Sequence, residues 1–227
     1  MIMMVFALAL SFCLCSCGTV NNMLAEKTKT IEYYRIFDIK TSASKEAVIK
    51  AASDGLGRNV NKTQEATPVP ATGEIPDKPG RFTLVNPLQG SKLAALASAG
   101  GSIGLRVATC EGAVWSATAL RDVERSRVSL TACLYQYTKG YHLDLYAVFT
   151  KHEGGANISK RLGEAMAYAA VGTPEQWTEK TMLDVVRSIK EATGARVTFV
   201  EGQPAFGGLP HIDDMAGKYG EPAKGAN

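Results

Sequence analysis

Residues 127–151, RVSLTACLYQYTKGYHLDLYAVFTK, read as one β-hairpin. Two runs rich in Val, Leu, Tyr and Phe alternate apolar and polar positions on either side of Lys139-Gly140, a pair suited to a two-residue turn. Alternation at period two sends successive side chains to opposite faces of a strand. A turn at Lys139-Gly140 predicts that Leu134 faces Leu145, Ala132 faces Ala147 and Leu130 faces Phe149. That face is wholly apolar, so a slip of one residue would turn it to water. The other face pairs Tyr137 with His142, Tyr135 with Asp144 and Cys133 with Tyr146. It is aromatic and polar together, which suits either a solvated face with ordinary cross-strand pairs or a surface that contacts a ligand.

Upstream, residues 103–110 and 113–120 flank Glu111-Gly112, a second turn signal. The two hairpins together predict a four-strand meander over 103–151. Residues 31–40, rich in Ile, Tyr and Phe, read as an N-terminal strand, and 81–85 as a short one. Ser42 or Ser44 can cap a helix carrying Val48, Ala52 and Leu56, with Gly55 or Gly57 to end it. Residues 91–99 suit a short helix stopped by Gly100-Gly101. Downstream, Asn157 can cap a helix with Ile158, Leu162, Ala165, Met166 and Ala169 on one stripe. Thr173-Pro174-Glu175-Gln176 forms a capping box with Pro at the first helical position. Trp177, Met182, Val185, Val186 and Ile189 follow at helical spacing, Gly194 closes the helix, and 196–201 suit a last strand. This order predicts an α+β fold: an antiparallel sheet, the meander plus the N-terminal strand, with helices packed on its apolar face.

The chain begins with an apolar run through Phe12, then Cys13-Leu14-Cys15-Ser16-Cys17-Gly18. The run is too short to span a bilayer, which takes about 20 apolar residues, and it fits the apolar region of a secretory signal. Leu14-Cys15-Ser16-Cys17 resembles the lipobox of bacterial lipoproteins, a likeness covering the first 18 residues. The resemblance implies cleavage before Cys17, with a diacylglycerol thioether and an amide-linked acyl chain such as palmitate on that residue. Several chains bury enough methylenes, at about 0.8 kcal/mol each, for stable anchoring. In Gram-negative members Asp after the lipidated Cys favours the inner membrane, so Gly18 points to the outer membrane and the periplasm. Its first residues, Met1-Ile2-Met3-Met4, lack the Lys or Arg of a usual signal. An ordinary secretory signal or an uncleaved anchor reads from the same residues.

Residues 17–30 are polar and suit a tether. Residues 31–201 make one domain of ordinary size, with a loop over 63–80 marked by Pro68, Pro70, Pro76 and Pro79. Residues 202–227 are Gly/Pro-rich and read as an extended or disordered tail. A hydrophobic share of 45% suffices for a core. With 25 basic and 22 acidic residues and no basic block, a nucleic-acid partner has little electrostatic support.

Chemistry is sparse. The three histidines, His142, His152 and His211, show no metal spacing, so no metal or cofactor is expected. His142 and Asp144 share one strand face beside Tyr135, Tyr137 and Tyr146, the candidate ligand-binding group; the same pair could serve a hydrolase as acid and base. His211-Ile212-Asp213-Asp214 falls in the tail. Gly100-Gly101-Ser102-Ile103-Gly104 lacks the Lys of a P-loop. The chain thus reads as a lipid-anchored envelope protein that binds a ligand or an assembly partner, with the membrane reached through its lipid. In the predicted meander, strand 113–120 separates Cys110 from Cys133. Next-nearest strands lie roughly 10 Å apart, whereas a disulfide needs Cα atoms within about 7 Å, so two free thiols are expected.

Overall fold

The computed structural model describes residues 27–60, 62–68, 73–87, 106–123, 126–153 and 172–205. The elements are β1 (Lys27–Lys40), α1 (Lys45–Gly57), β2 (Thr63–Ala66), β3 (Thr83–Val85), β4 (Val107–Thr109), β5 (Trp115–Val123), β6 (Ser126–Tyr137), β7 (Gly140–Glu153), α2 (Pro174–Thr193) and β8 (Arg196–Gln203). Six strands form one sheet in the order β2-β5-β6-β7-β1-β8, and β3 pairs with β4 as a separate ribbon. The pairs β1–β8, β2–β5, β3–β4, β5–β6 and β6–β7 are antiparallel. A mixed α+β fold with a mostly antiparallel sheet is therefore what the chain adopts. Residues 1–29 with 151–171 make one compact unit, and residues 30–150 with 172–227 another; the account below concerns the second.

The hairpin forms with its faces as expected and its register moved by two. Leu134 pairs with Leu143, Ala132 with Leu145, Leu130 with Ala147 and Val128 with Phe149. Tyr137 pairs with Gly140, so Thr138-Lys139 makes the turn. An even shift keeps the apolar residues together. Gly140 answers to a neighbour instead: a Cβ there would lie 2.2 Å from the Ile39 carbonyl oxygen of β1, and its φ is 137°.

Both helices begin where local chemistry says they should. The Ser44 hydroxyl accepts the Ala47 N–H at 3.2 Å and opens α1. At α2 the Thr173 hydroxyl accepts the Gln176 N–H while the Gln176 side chain accepts the Thr173 N–H, and Gly194 closes the helix at φ 63°. Val48, Ala52 and Leu56 of α1 and Met182, Val185, Val186 and Ile189 of α2 are buried with Leu130, Ala132, Leu134, Leu143 and Leu145 of the sheet. The helices meet at Gly55, where a Cβ would come within 2.7 Å of the Asp184 carbonyl oxygen. Arg35 of β1 reaches Glu179 of α2 through two hydrogen bonds, 3.1 and 3.0 Å, beneath the surface.

The four-strand meander is not what forms. Glu111-Gly112 does turn, with the Ala113 N–H donating to the Cys110 carbonyl at 3.1 Å and Gly112 at φ 76°. Strand β4 nevertheless leaves the sheet and pairs with β3, Val85 opposite Val107 and Leu84 opposite Ala108. The ribbon lies against the face turned away from the helices. Phe82 packs on Tyr34 and Tyr146 with ring centroids 6.1 and 5.7 Å apart, and Ala108 is buried with Tyr146 and Val148. Leaving the sheet brings Cys110 over Cys133, whose Cα is 5.3 Å away, and the two form a disulfide. The expectation of two free thiols is corrected by that strand order.

Three boundaries also move. The first residues of the supposed loop 63–80 are the edge strand β2, and its end is tied down, since the Thr138 N–H donates to the Pro76 carbonyl at 3.0 Å. Strand β1 takes up Lys27–Thr30 from the supposed tether, and β8 takes Gly202 and Gln203 from the supposed tail. Residues 1–26, the signal and Cys17 included, the helices expected at 91–99 and 157–169, the glycines of 100–104 and the tail from 206 lie outside the described residues.

Candidate functional site

The aromatic-polar face of the hairpin is a second interior. Tyr135 is 1% exposed, Tyr146 3%, His142 6%, Tyr137 8% and Asp144 0%. The sequence did bring His142 and Asp144 together: Nδ1 of His142 lies 3.2 Å from one carboxylate oxygen of Asp144. The other oxygen accepts the Phe82 N–H at 3.0 Å, and Arg81 Nε stands 3.7 Å from it. Asp144 is thus spent on the strand that covers it. It satisfies a backbone donor at the ribbon's entry, as a buried carboxylate must. Arg81 also pairs with Glu201 of β8.

Each tyrosine has a distinct environment. Tyr135 lies across the sheet from His142, under Gly80, where a Cβ would meet its ring at 2.5 Å. Burial, then the Asp144 charge, raise its pKa, against Arg81. The Tyr137 hydroxyl donates to Asp38 at 2.5 Å, and its pKa is pushed up to about 12 by burial first and Asp38 second. Burial and the Glu32 carboxylate raise Tyr146. Phenols held protonated in this way act as packing surface and hydrogen-bond donors, not as bases.

The opening onto this sheet face lies beside the ribbon. It is a cleft of about 380 Å³. Arg127, Ser129 and Thr131 of β6 and Tyr146, Val148, Phe149 and Thr150 of β7 make its floor, Leu120 of β5 one wall, and Arg106, Val107 and Ala108 the other. Small hydroxyl side chains at 129 and 131 leave space where bulkier ones would fill it. Leu120 and Val107 are 55% and 39% exposed, and Val85, 42% exposed, pairs with Val107 on the ribbon. Arg106 grips Glu32, with Nε 2.9 Å from one oxygen, and Arg127 pairs with Asp122 at 2.8 Å. A second hollow of about 470 Å³ between α1 and β2 mixes Lys45 and Lys50 with Glu46 and Glu65, so it favours neither sign of charge.

Sequence reasoning missed this cleft. Its residues come from four strands, and only the run of outward small hydroxyls next to an outward Leu120 hints at it. Among the described residues no group of three or more His, Cys, Asp or Glu could hold a metal ion. None of the helices there is long and apolar enough to cross a membrane. Compared with known proteins, the chain matches no family model and no curated protein sequence.

Proposed function

We propose that this chain is a lipid-anchored envelope protein that works by binding, and that the cleft beside the ribbon is its binding surface. The observation that carries the reading is the contrast on one sheet face. The polar cluster there is closed, with Asp144 bonded inside the fold, while the cleft is open and edged by exposed Leu120 and Val107. Grouped exposed apolar side chains around a concavity mark interaction sites. Attachment through lipid on Cys17, at the outer membrane facing the periplasm, is the part of the proposal that rests on the lipobox. A disulfide fits an oxidising compartment such as that one.

The hydrolase alternative has one observation in favour, the His142–Asp144 contact. Against it, both oxygens of Asp144 are occupied and the pair lies under the ribbon, with no approach for a substrate among the described residues.

Two measurements test the proposal. Metabolic labelling with a fatty-acid probe should mark the wild-type chain and not Cys17→Ser; an unmodified Cys17, or a mature terminus elsewhere, would remove the anchor. A photo-crosslinker at position 120, in cells, should give a discrete adduct that the same group at exposed Lys50 does not. Equal labelling at both positions, or none at 120, would show that the cleft is not a binding surface.

A further inference from the structure

The cleft's two sides present different things. The main sheet offers Arg127, Ser129 and Thr131 of β6 and Tyr146, Val148, Phe149 and Thr150 of β7, so a ligand would lie along its face. The ribbon offers three consecutive residues, Arg106, Val107 and Ala108. Among the described residues β3 contributes nothing to the lining, so the cleft lies on the side of β4 away from β3. Strand β4 has β3 on one side and, among the described residues, no strand on the other. An unpaired edge is a template for another strand.

The charges around the cleft point to the composition of such a strand. Arg106 and Arg127 line it, with side chains 51% and 73% exposed. Their partners, Glu32 and Asp122, are themselves 26% and 69% exposed. The Arg127–Asp122 pair is exposed on both sides and such pairs contribute little, so an incoming carboxylate can take that guanidinium at small cost, while Arg106, held by half-buried Glu32 through two nitrogens, can share its charge. Between the arginines the floor is apolar and hydroxyl-bearing.

We infer that the cleft takes an extended peptide of a partner protein, added as a strand to the outer edge of β4, with apolar residues toward Leu120 and Val148 and acidic residues toward Arg106 and Arg127. This rests on the reading of the cleft as the binding surface. Main-chain hydrogen bonds to β4 give such a complex its affinity, and alternate side chains give it selectivity. The arginines add faster, salt-sensitive association.

The test is selection of a random nine-residue peptide library on the full chain in detergent, followed by synthesis of the enriched peptides. Enrichment of peptides with Asp or Glu flanking Val, Ile, Leu or Phe is expected. Binding should fall at least tenfold for Arg127→Glu, which alters an exposed pair and leaves the core untouched. It should fall equally on N-methylation of alternate peptide amides, a change that needs no variant protein. No enrichment, or enriched peptides insensitive to both changes, overturns the inference. So does displacement of a fluorescent fatty acid from the cleft by laurate with no peptide bound, which would assign the cleft to an amphiphile. A crosslink at position 120 without peptide binding would leave the binding reading standing and remove only the strand; no crosslink would remove both.

Discussion

Breaking the Cys110–Cys133 bridge should destabilise the domain by about 3.4 kcal/mol. The cysteines are separated by 23 positions, and the chain-entropy relation for closing a loop of that length gives this figure at 25 °C. For a chain of 227 residues each kcal/mol moves the melting temperature by about 2–4 °C, so the shift should be about 7–14 °C. The structure adds a directional element. Cys110 holds the corner at which the chain passes from the ribbon into β5, and Ala113, Cys133, Tyr135 and Phe82 pack around it. Opening the bridge should therefore loosen β3 and β4 before the helices, and amide exchange should rise first at Leu84 and Ala108. The assay uses a chain starting at Gly18, which retains only Cys110 and Cys133. Thiol titration of the unfolded, unreduced chain should find no free thiol, and two after reduction. Thermal melts of Cys110→Ser/Cys133→Ala should show the shift. Two reactive thiols without reductant would refute the strand order, because a β4 lying in the main sheet is what would hold the cysteines apart. A shift under 2 °C with the bridge present would refute the entropic argument.

Four further outcomes follow from buried polar groups and strand ends. Arg35→Met alone should cost about 3 kcal/mol in urea denaturation by stranding Glu179, whereas Arg35→Met with Glu179→Leu should recover most of it; a double variant as unstable as Arg35→Met would show that the pair stabilises outright, and additive losses that the two side chains are not coupled. Burial raises the Glu179 carboxyl above its usual 4.5, and Arg35 offsets only part of that, so the folded chain holds this proton more tightly than the unfolded one. That contribution fades as pH rises past 4.5, and wild type should lose stability relative to Glu179→Gln on going to neutral pH; a gain would mean that Arg35 wins. Asp144→Ala strands the Phe82 N–H and should cost about 2–3 kcal/mol while raising amide exchange at Phe82; unchanged exchange there would show that Asp144 does not hold the ribbon. A chain ending at Glu201 loses the Gly202–Arg35 and Gln203–Tyr34 pairings and should melt below one ending at Ala205; equal melting would place the functional end of β8 at Glu201.

What could be read from the sequence was local. Ser44, the Thr173–Gln176 box and Gly194 fix helix ends through bonds made within a few residues, and all three act as expected. The hairpin's faces were legible because period two is local as well. Its register was not, because Gly140 is required by a carbonyl on β1, one hundred residues earlier in the chain, and the turn falls one position before it. Residues 81–85 were read as a short strand without a partner and 103–110 as a strand hairpinned to 113–120, since three residues each give no pattern that names the true pairing. Their pairing joins segments more than twenty residues apart, and every error about the cysteines came from that single missing pairing.

The same missing layer explains why the polar face was read as a surface. Asp, His and three tyrosines on alternate positions look solvated as long as nothing is known to cover them. A buried carboxylate needs a donor, and the covering strand supplies one: the Phe82 N–H donates to one oxygen of Asp144, and the Phe82 ring packs on Tyr34 and Tyr146. Polar residues on a strand face are therefore as much a signal of a second layer as of solvent. What separates the two is whether the chain elsewhere carries a short strand with free donors and an aromatic side chain to lay over them. Residues 80–85 are such a strand here, Gly80 giving clearance over Tyr135 and Phe82 giving the cap. Among the described residues the layer ends at β4, which borders the cleft. A layer that closes the polar cluster and stops short over Ser129 and Thr131 makes the interior and the opening out of one sheet face. That is why the binding proposal rests on the cleft and not on His142 and Asp144.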